Sequence, residues 1–229
     1  TFHTWCMTMV RKAPELFGCK GFTVIDRDDQ ITIFRFARAL SSDSSNPLLP
    51  SAYDLCELYS YGRNVGITLK KTLEEKFPES SGQLNSIGKI IASYEGRKEA
   101  SKYLDYDDIL QVVAKQISSY PEVLDWITSN YTDILIDEFQ DTNPLQWKLL
   151  YPLIAKLRLF CVGDDAQSIY GFRGADFQNI HNFKEKVEGS SVLKLSLNYR
   201  STQEILDLPN WLLSKSQYNY GKILKANRG

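Results

Sequence analysis

Three apolar runs of this sequence end in residues that could do chemistry, and the first ends in a pair of carboxylates. Ile134, Leu135 and Ile136 are followed directly by Asp137 and Glu138. An unalternating apolar run is typical of a parallel strand that is buried on both faces. Because Mg²⁺ prefers oxygen ligands and keeps its waters, Asp137 could hold the ion while Glu138 polarises an attacking water. A charged, solvated loop is the alternative interpretation.

The second apolar run, LFCV, opens into the loop VGDDAQSIYGFRGA at residues 162–175. Gln167 could orient a phosphate or a water molecule. Tyr170, Phe172 and Arg173 combine aromatic rings with a cation, which suits base stacking and contact with a backbone phosphate. The alternative is a glycine-rich turn whose aromatic side chains belong to the core.

The third apolar run, Val192 to Leu197, is followed by Asn198, Tyr199 and Arg200. An arginine here can reach a phosphate that lies between two domains, through a fork of donors that lysine cannot copy. Ligands of doubly wound α/β proteins bind beyond the carboxyl ends of the strands. The three sites therefore indicate a function more strongly together than any of them does alone.

Strand-like runs alternate with helical patterns after Asp105, which predicts a doubly wound α/β core. Asn143 supplies an N-cap, Pro144 the first helical position and Gln146 the reciprocal capping residue of a helix that should reach about Leu157. The sequence thus places a helix directly after the acidic strand end.

Two further helix starts are predicted near the ends of the chain. A strand end should precede a helix from Thr4 to about Lys12. The stretch STQE at residues 201–204 has the spacing of a capping box, and Pro209 should disturb the helix that follows.

Residues 26–103 follow a helical pattern instead. Acidic residues suited to a helix N-terminus precede apolar residues at positions 33, 34, 37 and 40, and residues 41–51 have the composition of a linker. Apolar residues then recur every 3.6 positions between Leu84 and Tyr94. The pattern predicts an all-helical insertion in the α/β core.

The composition narrows the class of protein. The 229 residues contain 27 Lys and Arg and 28 Asp and Glu, so a nucleic-acid contact would need a local basic patch. The four cysteines show no metal-ligand spacing and only two histidines are present, so we expect reduced thiols in a cytoplasmic protein and no zinc site. No stretch approaches the ~20 apolar residues of a membrane span.

The motifs ILIDEFQDTNPLQ, VGDDAQSIYGFRGADF and LNYRSTQEIL, in this order, resemble motifs II, III and IV of the UvrD/Rep/PcrA family of superfamily 1 DNA helicases. TFHTW at the start of the chain and LDYDDIL at residues 104–110 resemble two further family motifs. The resemblance covers essentially the whole chain. It implies an ATP-dependent helicase or translocase that moves 3′ to 5′ on single-stranded DNA, in DNA repair or replication.

The resemblance also implies the fold and its division. We expect an incomplete RecA-like (P-loop NTPase) parallel-sheet core, with an all-helical insertion subdomain. Domain 1A would comprise residues 1–25 and 104–215, and domain 1B residues 26–103. Residues 216–229 would begin the linker towards a second RecA-like domain that is missing from this chain.

On the nucleotide side, the resemblance implies ATP and Mg²⁺ as cofactors. Asp137 would hold Mg²⁺ and Glu138 would activate the hydrolytic water. Gln167 would sense the γ-phosphate and link it to DNA. Tyr199 would pack near the adenine, and Arg200 would contact the γ-phosphate.

On the DNA side, the implied partners are single-stranded DNA and its junctions with duplex DNA. Phe172 would stack on a base and Arg173 would contact a phosphate, with Tyr170 on the same side of the loop. Thr1 and His3 would touch the DNA backbone, although a packed histidine is the alternative for His3.

Departures from the family pattern qualify this interpretation. The phosphate-binding loop G-x-x-x-x-G-K-[ST] is absent from the 229 residues, so we expect this chain by itself to hydrolyse ATP negligibly. Ala166 and Phe172 stand where relatives often have an acid and a tryptophan. Two alternatives stay open: the motor part of a RecB/AddA-like helicase-nuclease, and a non-catalytic DNA-binding or protein-docking module.

Overall fold

The computed structural model describes residues 1–171, 174–176, 178–215 and 223–227. Eleven α-helices are assigned within these residues: Phe2–Lys12 (α1), Arg27–Ala39 (α2), Ala52–Val65 (α3), Leu69–Lys76 (α4), Leu84–Ser101 (α5), Tyr106–Ser119 (α6), Pro121–Thr128 (α7), Pro144–Ile154 (α8), Gln178–His181 (α9), Phe183–Lys186 (α10) and Gln203–Ser214 (α11). The strands are Thr23–Val24 (β1), Tyr103–Leu104 (β2), Asp133–Ile136 (β3), Arg158–Cys161 (β4), Leu197–Asn198 (β5) and Lys225–Ala226 (β6).

Buried apolar side chains form two separate clusters. The first draws on residues 6–19 and 104–157, and the second on residues 25–94. In the second cluster, the rings of Phe34 and Tyr94 stack with their centroids 4.0 Å apart. The helical segment predicted for residues 26–103 therefore has an apolar core of its own.

The chain enters and leaves the second cluster at neighbouring points. Strands β1 and β2 pair in parallel, with Thr23 opposite Tyr103 and Val24 opposite Leu104. The Ile25 amide continues the ladder by donating to the Leu104 carbonyl at 2.9 Å. Parallel pairing brings together two segments that are about eighty residues apart in sequence.

Buried charges connect the two clusters at this point. The Lys98 ammonium, on α5, lies 2.6 Å from carboxylate oxygens of both Asp105, the N-cap of α6, and Asp108, in the first turn of that helix. Arg63 lies 2.7 Å from Asp108, and the Tyr94 hydroxyl donates to Asp105 at 2.8 Å. We call these five residues the junction cluster. They join helices of the insertion to α6, the helix with which the chain returns to the first cluster.

The junction cluster determines the ionisation of Asp105. Burial by itself pushes the pKa of this carboxyl up, because a charge loses hydration in the interior. Lys98 and Arg63 more than offset that penalty, so the pKa of Asp105 lies below its ordinary value. The folded protein therefore holds Asp105 as a carboxylate.

Strands β3 and β4 pair in parallel, with Asp133 opposite Arg158 at one end and Ile136 opposite Cys161 at the other. The prediction that both faces of these strands are buried is wrong for this chain. The side chain of Leu135 is 75% exposed and that of Phe160 is 59% exposed. Helices of the first cluster pack on one face of the pair, and no described element covers Leu135 and Phe160.

The predicted third strand is much shorter than residues 192–197. Only Leu197–Asn198 forms a strand, and it pairs in parallel with Lys225–Ala226. Leu193 and Leu195 are more than four-fifths exposed. A strand needs a neighbour to satisfy its backbone, and among the described residues such pairing starts only at Ser196, whose carbonyl accepts from the Lys225 amide at 2.9 Å. The described strands therefore form three separate pairs and not one continuous sheet.

Helix ends test the remaining local predictions. The capping box of α8 is confirmed, because Asn143 and Gln146 exchange both capping hydrogen bonds. The box predicted at residues 201–204 is wrong: Thr202 is the N-cap of α11 and makes no side-chain capping bond. Pro209 lies inside α11 without ending it, because a proline removes one backbone donor while its neighbours can keep theirs.

Helix α1 begins earlier than predicted. It starts at Phe2, and the Thr1 hydroxyl accepts a hydrogen bond from the Thr4 amide at 3.2 Å. A threonine in this position satisfies one of the amides that a helix start leaves without a partner. The first residues of the chain thus form a capped helix start, and the strand end predicted there is wrong.

Candidate functional site

The parallel pairing of β3 and β4 places two of the predicted loops side by side. The Val162 amide donates to the Ile136 carbonyl at 2.8 Å, and the Phe139 amide donates to the Val162 carbonyl at 2.9 Å. The ladder therefore continues past both strand ends. Asp137 and Glu138 leave the sheet at the same edge as the loop that starts at Gly163.

Glu138 adopts a backbone conformation that is unusual for a residue with a side chain. Its φ angle is 51° and its ψ angle 45°, in the left-handed region, immediately before the 3₁₀ turn Phe139–Asp141. Such a conformation costs free energy, and in proteins it is concentrated at functional sites. The turn leaves the side chains of Asp137 and Glu138 exposed at the strand end.

Gln140 connects the two loops through its side chain. Its Nε2 donates to Glu138 Oε2 at 2.6 Å, and its Oε1 accepts a hydrogen bond from the Asp164 backbone amide at 3.0 Å. Only 1% of the Gln140 surface is exposed. Sequence reasoning missed this residue, because no spacing rule marks a buried amide that bridges two loops.

Phe139 anchors the turn between Glu138 and Gln140. Its side chain is 2% exposed, and its ring contacts Trp147 and Phe183 edge to face, with both centroid distances 5.4 Å. Since the anchor lies between the acidic residue and the bridging amide, packing in the first cluster holds both in place.

The loop after β4 is ordered by its own side chains. The Asp164 carboxylate accepts hydrogen bonds from the Ala166 amide at 3.2 Å and from Gln167 Nε2 at 3.0 Å. Gln167 is exposed at the end of a 3₁₀ turn that begins at Asp165. The structure therefore brings Gln167 to the same edge of the strand pair as Glu138, as the strand order predicts.

A cleft of about 490 Å³ separates the insertion from the first cluster. Tyr53 and Tyr61 line it from α3, and His3, Asn143 and Tyr170 line it from the other side. Aromatic rings and polar groups thus line a space that includes Tyr170 of the loop at residues 163–171. The cleft joins two predicted DNA-facing residues, His3 and Tyr170, that are far apart in sequence.

His3 is partly buried in this cleft and its ring packs edge-on against Tyr106, with centroids 6.1 Å apart. Burial lowers the pKa of His3, although the nearby Asp107 carboxylate opposes the shift. Burial therefore favours the neutral imidazole in the chain without DNA. Thr1 is exposed, but its hydroxyl is engaged in capping α1.

Gly174 seats the far end of the same loop on the insertion. Its φ angle is +83°, and a Cβ added there would lie 2.5 Å from Val65 Cγ2 on α3. Sequence reasoning also missed this contact. Among the described residues, Gly163 thus lies against Gln140 at the strand edge, and Gly174 lies against α3.

Replacing Gly174 with alanine should lower the free energy of unfolding by about 1–3 kcal/mol, because the added methyl overlaps Val65 and the backbone is strained. Urea unfolding followed by circular dichroism would measure the loss. Gly171→Ala is the matched control, since a Cβ there meets no atom within 4 Å. Equal stabilities of the two variants would contradict the seating of the loop on α3.

The third predicted site is not joined to the first two through a sheet. Tyr199 is 65% exposed and Arg200 is exposed, at a turn in which Asn198 Oδ1 accepts from the Arg200 and Ser201 amides, each at 2.8 Å. Among the described residues, β5 pairs with β6 and not with β3 or β4. The predicted DNA-facing residues Phe172 and Arg173 lie outside the described residues.

The donor chemistry of the acidic strand end fits Mg²⁺. Asp137 and Glu138 present carboxylate oxygens on an exposed edge, where an ion can keep its waters. Burial, and then the charge of Glu138, raise the pKa of the neighbouring Asp141, whose Oδ1 is buried without a hydrogen-bond partner. Within the described part of the chain, no group of three or more His, Cys, Asp or Glu side chains forms a ready metal cage.

The cysteines and the helices also bear on the class of protein. All four cysteines are free thiols, and burial raises the pKa of Cys6, Cys56 and Cys161 to about 12. Among the helices that the structure describes, none is both long enough and apolar enough to cross a membrane.

The fold and site together define an α/β protein of the ligand-binding type. The adjacent carboxyl ends of a parallel strand pair carry an acidic turn and a glycine-rich loop, and a helical insertion lies beside them. The model of the UvrD/REP helicase N-terminal domain family matches residues 1–188. The chain belongs to this family, and membership implies a RecA-like helicase fold.

Similar proteins support the same assignment. The chain is 29% identical over 218 residues to the ATP-dependent DNA helicase PcrA of Staphylococcus aureus strain Mu50, a match that covers 94% of this chain and 29% of that protein. It is 29% identical over 238 residues to PcrA of Staphylococcus epidermidis strain ATCC 12228, covering 100% of this chain and 31% of that protein. The chain thus spans about three-tenths of the length of these curated relatives.

Proposed function

We propose that this chain is part of an ATP-dependent DNA helicase or translocase that moves 3′ to 5′ along single-stranded DNA, in DNA repair or replication. The observation that carries the proposal is the pairing of β3 with β4. It brings the acidic strand end and the loop at residues 163–171 to one edge of the sheet, where Gln140 joins them. The acidic turn would serve the nucleotide, and the loop would serve the nucleotide through Gln167 and the DNA through Tyr170.

The nucleotide side is assigned to the acidic turn and to the exposed arginine after β5. Asp137 would hold Mg²⁺, which when bound neutralises charge on the phosphates. Glu138, held in its left-handed conformation, would accept a proton from the attacking water. Gln167 would contact the γ-phosphate. Arg200 would contact it too, with Tyr199 against the adenine.

The DNA side is assigned to the cleft and to the loop beside it. Tyr170 would stack on a base, together with Phe172, while Arg173 would contact a backbone phosphate. His3 and Thr1 would complete the path at the start of α1. The aromatic lining of the cleft supports this assignment, since stacking tolerates any base.

The two apolar clusters support a division into domains 1A and 1B. Domain 1A would hold residues 1–25 and 104–215, and domain 1B residues 26–103, with residues 216–229 as the start of a linker. The junction cluster and the paired strands β1 and β2 would keep the insertion in a fixed orientation next to the DNA path.

Replacing Tyr170 with alanine should weaken binding of single-stranded DNA by about 1–3 kcal/mol, because the variant loses a stacking platform. Fluorescence anisotropy of a labelled oligothymidylate, titrated with the 229-residue chain at fixed salt, would measure the change. Oligothymidylate is chosen because it forms no duplex of its own, so the titration reports single-stranded binding.

Tyr151→Ala is the matched control, because Tyr151 is 67% exposed on α8 and does not line the cleft. It should bind the oligonucleotide as the wild-type chain does. Undiminished binding by Tyr170→Ala would remove Tyr170 from the DNA path. Failure of the wild-type chain to bind would contradict the DNA-binding proposal itself.

A further inference from the structure

We infer that Gln140 is a positioning residue through which the DNA-facing loop controls the carboxylate of Glu138. The inference rests on the proposed function and deepens it. Gln167 is the residue to which the family resemblance assigns communication between nucleotide and DNA. Gln140 provides a second and more direct connection, because it contacts the acidic residue and the loop at the same time.

An amide side chain suits this position. One end donates to the Glu138 carboxylate and the other accepts from the Asp164 amide, and an amide carries both functions on one uncharged planar group. A glutamate at residue 140 could accept from Asp164 but would repel Glu138. A leucine could do neither, and would leave the Asp164 amide without this acceptor.

Burial makes the connection stiff. Gln140 is 1% exposed, so water has little access to replace either hydrogen bond. Gly163 lies so close that a Cβ at that residue would stand 2.7 Å from Gln140 Oε1 and 3.3 Å from the Gln140 backbone nitrogen. A displacement of the loop at Gly163 and Asp164 would therefore move the amide, and the amide would move or release Glu138.

DNA that binds to the remainder of the loop would cause such a displacement. The segment between Asp164 and Gly174 carries Gln167 and Tyr170, and Gly174 is seated against Val65 of α3. With the far end held by the insertion, a base that stacks on Tyr170 would act on the near end. DNA occupancy would then be transmitted to Glu138 over two hydrogen bonds.

The test follows Glu138 by NMR while DNA binds. The side-chain carboxyl carbon of Glu138 is assigned from the spectrum of Glu138→Gln, and oligothymidylate is titrated into the wild-type chain, Gln140→Leu and Gln140→Glu. Hydrogen exchange of the Asp164 amide is measured in the same samples. Thermal unfolding confirms that each variant is folded.

In the wild-type chain the oligonucleotide should shift the Glu138 resonance. Both Gln140 variants should still bind the oligonucleotide but lose that shift. Gln140→Leu should also exchange the Asp164 amide about tenfold faster, since one hydrogen bond is lost, whereas Gln140→Glu should keep this amide protected. The readout that a merely structural role of Gln140 would not change is the Glu138 shift, which the variants should lose while they stay folded and still bind the oligonucleotide.

Gly163→Ala provides an independent variant, because it displaces the Gln140 amide without changing that residue. It too should abolish the response of Glu138. A normal Glu138 shift in DNA-bound Gln140→Leu or Gly163→Ala would overturn the role of Gln140 and leave the DNA-binding proposal intact. Absence of any binding to the wild-type chain would overturn both.

Discussion

Lys98→Met should lower the free energy of unfolding by about 3–5 kcal/mol, the cost of leaving a buried charge without its partner. Lys98 is 5% exposed and contacts two carboxylates at 2.6 Å, of which Asp105 is 1% exposed. Methionine keeps the length of the side chain but removes its charge. Urea unfolding at neutral pH, followed by tryptophan fluorescence, would measure the loss.

The control for this variant is Lys70→Met, because Lys70 and Glu74 form an exposed pair 3.8 Å apart on α4. Pairs of this kind contribute at most about 0.5 kcal/mol, so the control should unfold as the wild-type chain does. A loss of less than about 1 kcal/mol for Lys98→Met would contradict the idea that the junction cluster holds the insertion on the core.

The same cluster determines how stability depends on pH. Because the pKa of Asp105 in the folded chain lies below its ordinary value of 3.8, the unfolded chain binds the proton more readily. The stabilisation is therefore present above pH 3.8 and is lost as the pH falls from there through the lowered pKa. In Lys98→Met this acid-dependent part of the unfolding free energy should shrink.

Phe139→Ala should lower the free energy of unfolding by about 3–5 kcal/mol, because it empties a fully buried site between two other rings. Phe139 is 2% exposed, and Trp147 and Phe183 contact it edge to face. The turn that carries Glu138 and Gln140 should also loosen. Urea unfolding would give the free energy, and faster hydrogen exchange at the Phe139 and Asp141 amides would report the turn.

Tyr151→Ala is the matched aromatic control, since its ring is 67% exposed on α8 and alanine favours a helix. Its stability should change by no more than about 0.5 kcal/mol. If Phe139→Ala lost no more than this control, the packing of Phe139 would not be what holds the acidic turn in place.

Local signals in the sequence predicted local structure well. The cap, proline and glutamine at residues 143–146 define the start of α8, because all the partners lie within one helical turn. The apolar repeat from Leu84 to Tyr94 lies on α5 for the same reason, and it faces the second cluster. Such predictions need no knowledge of distant parts of the chain.

Predictions that depended on a distant partner failed more often. Residues 192–197 have the composition of a strand, but a strand forms only where a neighbour takes its hydrogen bonds, and only Leu197–Asn198 has one. The spacing at residues 201–204 matches a capping box, yet the helix starts one residue later than that spacing requires. Burial of Leu135 and Phe160 likewise depends on a covering layer that none of the described elements provides.

The sequence by itself determined which chemical groups this protein carries, in what order, and hence its family. Carboxylates, amides, aromatic rings and arginines follow apolar runs in a fixed succession, and such a succession can be read along the chain. Only the tertiary structure decided that Gln140 bridges Glu138 and Asp164, and that Lys98 neutralises Asp105 between the two clusters. These contacts depend on ångström distances between side chains that separate elements position, and residue types and spacing do not specify such distances.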